Sequence, residues 1–350
     1  MGNKPSCQYE LVKEEETVFK SNEQEVYRIP ALFYDRDKIL MAFAEKWRTS
    51  DGSSGLALVL KSGKMNKDET THEVTIEWSE PISELVKVHL DGYRPMNLCP
   101  VYEKTSKTLF LFFICVEGTV SEQQQIDSGC NKARLCYVTT NNAGQSWSDV
   151  TDLTESLAEI NNWATFAVGP GHGLQTESGR LIVPVYAYAS GSRLCCSSIR
   201  RPIPYALSLY SDDKGNTWQV FDDTDNNSLI YCNARNIGGY REEAVSKNNG
   251  DDFTKLRGNL VETGGGCQGS VVSFPSKRVH LRMYLNTSPG SPNAWSKPCV
   301  IYRGPSGYSD LAYIDDGWFA CLMECGKHCE TEQIAVKVFG HNEVKQVIGE

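Results

Sequence analysis

The feature that most constrains this chain is an eight-residue frame that recurs along it. Ser211-Asp212-Asp213-Lys214-Gly215-Asn216-Thr217-Trp218 is echoed by Thr140-Asn141-Asn142-Ala143-Gly144-Gln145-Ser146-Trp147. A weaker echo is Ser246-Lys247-Asn248-Asn249-Gly250-Asp251-Asp252-Phe253. The frame encodes a hairpin turn. Its Asp or Asn bonds the turn's own backbone, its Gly takes a positive φ, and its aromatic residue closes a small apolar lid. Between the repeats the periodicity is short and strand-like, as in Arg28 to Tyr34, Ile39 to Glu45, Leu109 to Val116, Leu181 to Tyr188, Leu281 to Asn286 and Phe319 to Glu324. Turn pairs such as Asp91-Gly92 and Asp316-Gly317 punctuate these runs; helical stretches are rare, and the best is Thr151 to Ile160. Repeats spaced by tens of residues in an all-β chain predict a β-propeller, and six blades would take about 58 residues each.

The 350 residues carry 40% hydrophobic side chains, enough to bury a large core. A net charge of −9 argues against nucleic acid as a partner, because phosphate binding needs a basic face. The longest apolar run, Leu109 to Val116, is far short of the ~20 residues of a membrane-spanning helix. The polar start MGNKPSCQYE gives no secretory core, so the 13 cysteines are expected to be reduced. Cys321, Cys325 and Cys329 beside His328 read as ordinary thiols rather than as a metal site. Met1 to Ser6 fits acylation of Gly2, and Cys7 is placed for the second chain that durable anchoring needs. The organisation expected is a tail over 1–16, one propeller over 17–341 and a second tail over 342–350.

Three further motifs sharpen the reading: Tyr27-Arg28-Ile29-Pro30, the repeated turns, and Tyr308-Ser309-Asp310-Leu311. Together they resemble the arginine motif, Asp boxes and tyrosine motif of the sialidases (neuraminidases), within the vertebrate cytosolic and membrane-associated group. The resemblance runs from about Thr17 to about His341. Trp163 to His172, Gly266 to Phe274 and Phe319 to Cys325 look most like the ganglioside-acting members at the plasma membrane. It implies a six-bladed all-β propeller with Asp-box hairpins that removes terminal sialic acid from glycolipids or glycoproteins, without metal or cofactor. It also implies peripheral attachment to the plasma membrane or an endomembrane, with the cytoplasm as the alternative.

The chemistry gives the implied residues their roles. Arginine forks grip the sugar's carboxylate best, and the matching positions are Arg28, Arg235 and Arg278. A carboxylate nucleophile would be repelled by that anion, so the family uses a neutral tyrosine, here Tyr308. Glu324 matches the carboxylate that orients the first arginine. Asp51 fits the general acid with a one-residue slip, the alternative being a simple Asp51-Gly52 turn, and Arg48 is displaced in the same way. Met96, Asn97, Glu122, Tyr186 and Tyr188 match the substrate rim.

One departure stands out. The family places a tyrosine-activating Glu before the second arginine, whereas Gln219 to Asn233 holds Asp222, Asp223 and Asp225 and no Glu. The second and third repeats also start closer together, at Ser211 and Ser246, than the first and second, at Thr140 and Ser211. A nearby Asp substitutes, the activity is low, or the chain is a sialic-acid-binding pseudoenzyme.

Overall fold

The computed structural model describes residues 11, 13–80, 82–189, 204–220, 230–236, 239–247, 253–258, 260–261, 267–272, 295 and 299–348. In chain order the strands begin with β1 (Glu16–Lys20), β2 (Val26–Tyr34), β3 (Ile39–Trp47), β4 (Gly55–Lys67), β5 (Val74–Trp78) and β6 (Ser83–Glu84). They continue with β7 (Tyr93–Glu103), β8 (Thr108–Glu117), β9 (Ala133–Thr140), β10 (Thr151–Asp152), β11 (Trp163–Val168), β12 (Leu174–Gln175) and β13 (Leu181–Ala189). The last are β14 (Pro204–Ser211), β15 (Gln219–Val220), β16 (Ile230–Ala234), β17 (Glu242–Ser246), β18 (Thr254–Leu256), β19 (Ser306–Tyr313), β20 (Trp318–Cys325) and β21 (Gln333–Gly340).

Consecutive strands pair antiparallel into five sheets: β2-β3-β4-β5, β7-β8-β9-β10, β11-β13-β14-β15, β16-β17-β18 and β19-β20-β21-β1. The first strands of neighbouring sheets lie against one another, β19 with β2, β2 with β7 and β7 with β11, which is a propeller around a central axis. Strand β1 pairs with β21, so the N-terminal strand completes the last sheet. Five sheets among the described residues are one fewer than the six expected. Between β18 and β19 only scattered residues are described, and the expected strand at 281–286 lies outside them.

The apolar runs become the middle strands of the blades. Thr108–Glu117 is buried on both faces because neighbouring sheets cover both sides, which is why it reads as continuous rather than alternating. The repeated turns hold one blade to the one before. In the first, Thr140 Oγ1 accepts the N–H of Gly144 at 3.2 Å, Asn142 Oδ1 accepts the N–H of Ser146 at 3.0 Å, and Trp147 meets Phe43 edge-on at 6.2 Å. In the second, Ser211 Oγ accepts from Gly215, Asp213 accepts from Thr217, and Trp218 packs edge-on against Phe112 at 4.6 Å. Most of the third echo lies outside the described residues.

Gly215 is required twice over. It sits at φ +89°, and a Cβ there would lie 2.3 Å from Cζ of Phe110. Gly215→Ala is therefore expected to lower stability by about 2–4 kcal/mol in denaturant titrations. A change below ~1 kcal/mol would mean that this turn is not packed as described.

Two local expectations are corrected. Thr151 to Ile160 forms no α-helix; it holds the short β10, a 3-10 turn at Thr154–Ser156 and part of another at Ala158–Asn162. A helix appears instead at α1 (Glu122–Ser128), capped by Ser121 and Gln124 in a reciprocal capping box. Beyond β21 the expected tail is a second helix, α2 (His341–Ile348), whose Val344 is fully buried against the last sheet.

Candidate active site

Three of the inner strands slip register at the residues singled out from sequence. The pairing of β2 with β3 shifts between Arg28 and Ala31, that of β7 with β8 between Met96 and Cys99, and that of β19 with β20 between Ser306 and Ser309. Such irregularities re-aim side chains at functional positions. Here they leave Ile29 at φ +53° and Asn97 at φ +54°. For a β-branched residue such as Ile29 that conformation is strained and must be held by its surroundings.

Glu324 does the holding. It is fully buried on β20, and its Oε1 accepts Arg28 Nε–H at 2.7 Å and the Ile29 backbone N–H at 2.8 Å. Its Oε2 accepts Arg28 Nη2–H at 3.3 Å and the Tyr308 backbone N–H at 3.0 Å. One carboxylate thus fixes the arginine fork, the strained backbone beside it and the peptide that carries the tyrosine. The Arg28 guanidinium also lies over the Trp47 ring, 5.3 Å from its centroid.

Tyr308 is half-buried, and its hydroxyl oxygen accepts Arg235 Nη1–H at 3.3 Å. Burial pushes its phenol above the ordinary value, while the positive charges of Arg235 and Arg28 pull the other way. The peptide after it is anchored as firmly. Gln268 Oε1 accepts the Ser309 N–H at 3.0 Å, and buried Asp310 accepts from the Leu32 N–H at 2.8 Å and Ser270 Oγ–H at 2.7 Å. His172 Nδ1 lies 2.7 Å from Asp310 Oδ1; burial alone would lower its pKa, but the Asp310 charge and bond raise it. Asp310 thereby ties four segments of the chain at the axis.

Glu122 and the tyrosine pair come together. Tyr186 O–H donates to Glu122 Oε1 at 2.7 Å, and the rings of Tyr186 and Tyr188 meet edge-on at 6.5 Å on one face of β13. Glu122 itself sits in the first turn of α1 rather than in a loop. The pattern Ser121-x-x-Gln124 is the signal that reveals this helix.

Arg48 and Asp51 are exposed in the turn between β3 and β4. The Asp51 Oδ1 accepts the Ser53 backbone N–H at 2.9 Å, and this bond, with the Ser53 hydroxyl, holds the carboxyl below its usual range. Arg278, Gly2, Cys7 and the segment bearing Asp222, Asp223 and Asp225 lie outside the described residues. Cys321 and Cys325 are buried while Cys329 and His328 are exposed, and no group of three or more metal-ligating side chains is found among the described residues.

The antiparallel propeller with its repeated turns is of the BNR class: the family model described as a BNR repeat-like domain matches residues 37–321. Bovine Sialidase-3 is 39% identical over 91% of this chain and 90% of its own length. Rat Sialidase-2 is 38% identical over 91% and 94%. Among solved structures, a Trypanosoma rangeli sialidase in complex with 2,3-difluoro-KDN superposes with a TM-score of 0.70 at 18% identity, covering 98% of this chain and 61% of that one. A leech intramolecular trans-sialidase gives 0.67 at 15%, covering 96% and 71%. The chain belongs to the sialidase family. The bovine alignment spans 393 positions, more than the 350 residues available here, so that relative carries residues for which this chain has no counterpart.

Proposed function

We propose that the chain is an exo-α-sialidase that hydrolyses terminal sialic acid from sialoglycoconjugates, gangliosides foremost, with retention of configuration, on a propeller for which sequence predicts six blades with Asp-box hairpins. The observation that carries this reading is the set of bonds from Glu324 to Arg28, Ile29 and Tyr308, with Arg235 at the Tyr308 hydroxyl. Arg28, Arg235 and Arg278 grip the substrate carboxylate. Tyr308 attacks the anomeric carbon, aided by the arginines that favour its phenolate. Asp51 protonates the departing oxygen and then activates water, a role that needs bound glycan to cover its exposed turn and restore its proton. Arg48, Met96, Asn97, Glu122, Tyr186 and Tyr188 line the sugar's remaining arms.

Purified protein is expected to release sialic acid from a fluorogenic sialoside. The absence of turnover anywhere between about pH 4 and 7 contradicts this reading. A second reading has its own observation: among the described residues, no hydrogen bond joins a carboxylate to the Tyr308 hydroxyl. Saturable sialic-acid binding without hydrolysis, lost in Arg278→Ala, selects the pseudoenzyme.

Acylation at Gly2 and Cys7, with peripheral membrane attachment, belongs to the same proposal. Among the described residues no helix is long and apolar enough to cross a membrane. Gly2→Ala is expected to shift most of the protein from the membrane to the soluble fraction, since a single remaining chain anchors only marginally. Unchanged membrane recovery argues for another anchor.

A further inference from the structure

A second buried carboxylate sits beneath this cluster. Glu45 lies near the end of β3, directly paired with Arg28 in the sheet register, and is completely buried. Its Oε1 accepts the Asn97 backbone N–H at 2.6 Å, and its Oε2 accepts the Trp47 indole N–H at 2.8 Å. Each partner supports a different part of the site. The Trp47 ring lies under the Arg28 guanidinium and also floors the Asp51 turn, where a Cβ on Gly52 would meet the ring at 3.6 Å and one on Gly55 at 3.9 Å. Asn97 stands in its left-handed conformation at the register slip of β7, next to Met96.

The charged groups facing Glu45 are Arg28 from β2, Glu324 from β20 and Arg94 from β7. Arg94 is itself buried, with Nη1 and Nη2 donating to the carbonyls of Gly118 and Val120 at 2.6 Å each, and its Nε has no hydrogen-bond partner among the described residues. Its Cδ lies 3.6 Å from where a Cβ on Gly55 would be, so it too underlies the Asp51 turn. Burial pushes the Glu45 carboxyl up to about 7, against the pull of the Asn97 and Trp47 bonds and of Arg28. A wholly buried carboxyl is costly unless its oxygens are occupied. Here both are, by two groups that each brace a working part of the site.

We infer that Glu45 is a positioning residue of the sialidase site, fixing through Trp47 and Asn97 the spacing between the acid turn, the Arg28 fork and the substrate rim at Met96. The inference rests on the sialidase reading and goes further by giving that spacing one owner. Glu45→Gln keeps the volume but has one acceptor oxygen for two donors, so one brace is lost. The acid turn matters most where the leaving group needs a proton. The variant is therefore expected to lose about 10- to 100-fold in kcat on sialyllactose and at least tenfold less on an aryl sialoside with a good leaving group. As pH falls through about 7 the wild-type carboxyl takes up a proton, so the wild-type profile carries an inflection near there that Glu45→Gln lacks.

Trp47→Phe keeps an aromatic ring but removes the indole donor together with one of the two fused rings, and the same leaving-group-dependent loss is expected from it if Glu45→Gln does not fold. Equal losses on both substrates with an unchanged pH profile, or no loss, overturn the inference while leaving the sialidase reading intact. If the wild type hydrolyses neither substrate, the sialidase reading fails. The inference is then read from binding of a 2,3-unsaturated sialic acid analogue: a roughly tenfold weakening in Glu45→Gln supports it, and equal affinity, or no binding by either protein, overturns it.

Discussion

Glu324→Gln is expected to cost both fold and activity. The native carboxylate is fully buried and accepts from two Arg28 donors and two backbone N–H groups. A glutamine turns an amide N–H₂ toward donors that need an acceptor and leaves the Arg28 charge without its partner. Removing one member of a buried ion pair costs about 3–5 kcal/mol, and the lower end applies because the Arg28 side chain keeps 17% of its exposure. A fall in melting temperature of roughly 4 °C follows. Turnover should drop at least ~100-fold even in the folded fraction, because the fork and the Tyr308 peptide lose their common anchor. A variant melting within ~2 °C of wild type with normal turnover would show that the anchor is dispensable.

Tyr308→Phe isolates the chemistry. The hydroxyl is the only group removed, and the backbone N–H to Glu324 and the ring packing are kept. The one described bond lost is from Arg235, which is exposed to water, so stability should change by less than about 1 kcal/mol. Turnover should fall by at least ~10³-fold, as expected when a covalent nucleophile is deleted, while binding of a 2,3-unsaturated sialic acid persists. Retained hydrolysis would assign the attack to another group. The opposite pattern, lost binding with altered melting, would make Tyr308 a packing residue.

Much of this was legible in the chain because the informative features are local. The turn frame at Thr140 and Ser211 carries its own hydrogen-bond partners within eight residues, and Thr108–Glu117 announces a strand covered on both faces. Arg28, Tyr308 and Glu324 were each visible through a short motif, and the structure brings them together. The helix at Glu122–Ser128 was hidden by its polar composition, although its capping pair was in plain view. Thr151 to Ile160 misled because alternating Leu, Ala and acidic residues suit a helix and a series of tight turns alike.

The parts that could not be read are those made by contacts between distant segments. Nothing near Glu45 in sequence announces that Asn97 will need its oxygen, or that Trp47 will floor the Asp51 turn. Asp310 sits inside a recognised motif, yet its ties to Leu32, His172 and Ser270 arise only when four segments meet at the axis. Asp51 illustrates the converse. Its position was approachable by counting, but its exposure and the Ser53 bond that holds its carboxyl down depend on the turn it caps.

The most direct test of the central claim is the intact mass of the protein after incubation with 2,3-difluorosialic acid. Attack by the Tyr308 oxygen on the anomeric carbon forms a C–O bond, expels fluoride and passes the phenol proton to solvent, and the second fluorine slows the following hydrolysis. The result expected is one adduct per chain, mapped to the peptide bearing Tyr308 and absent from Tyr308→Phe. An unmodified protein that still hydrolyses sialosides, or an adduct on another residue, would contradict the account.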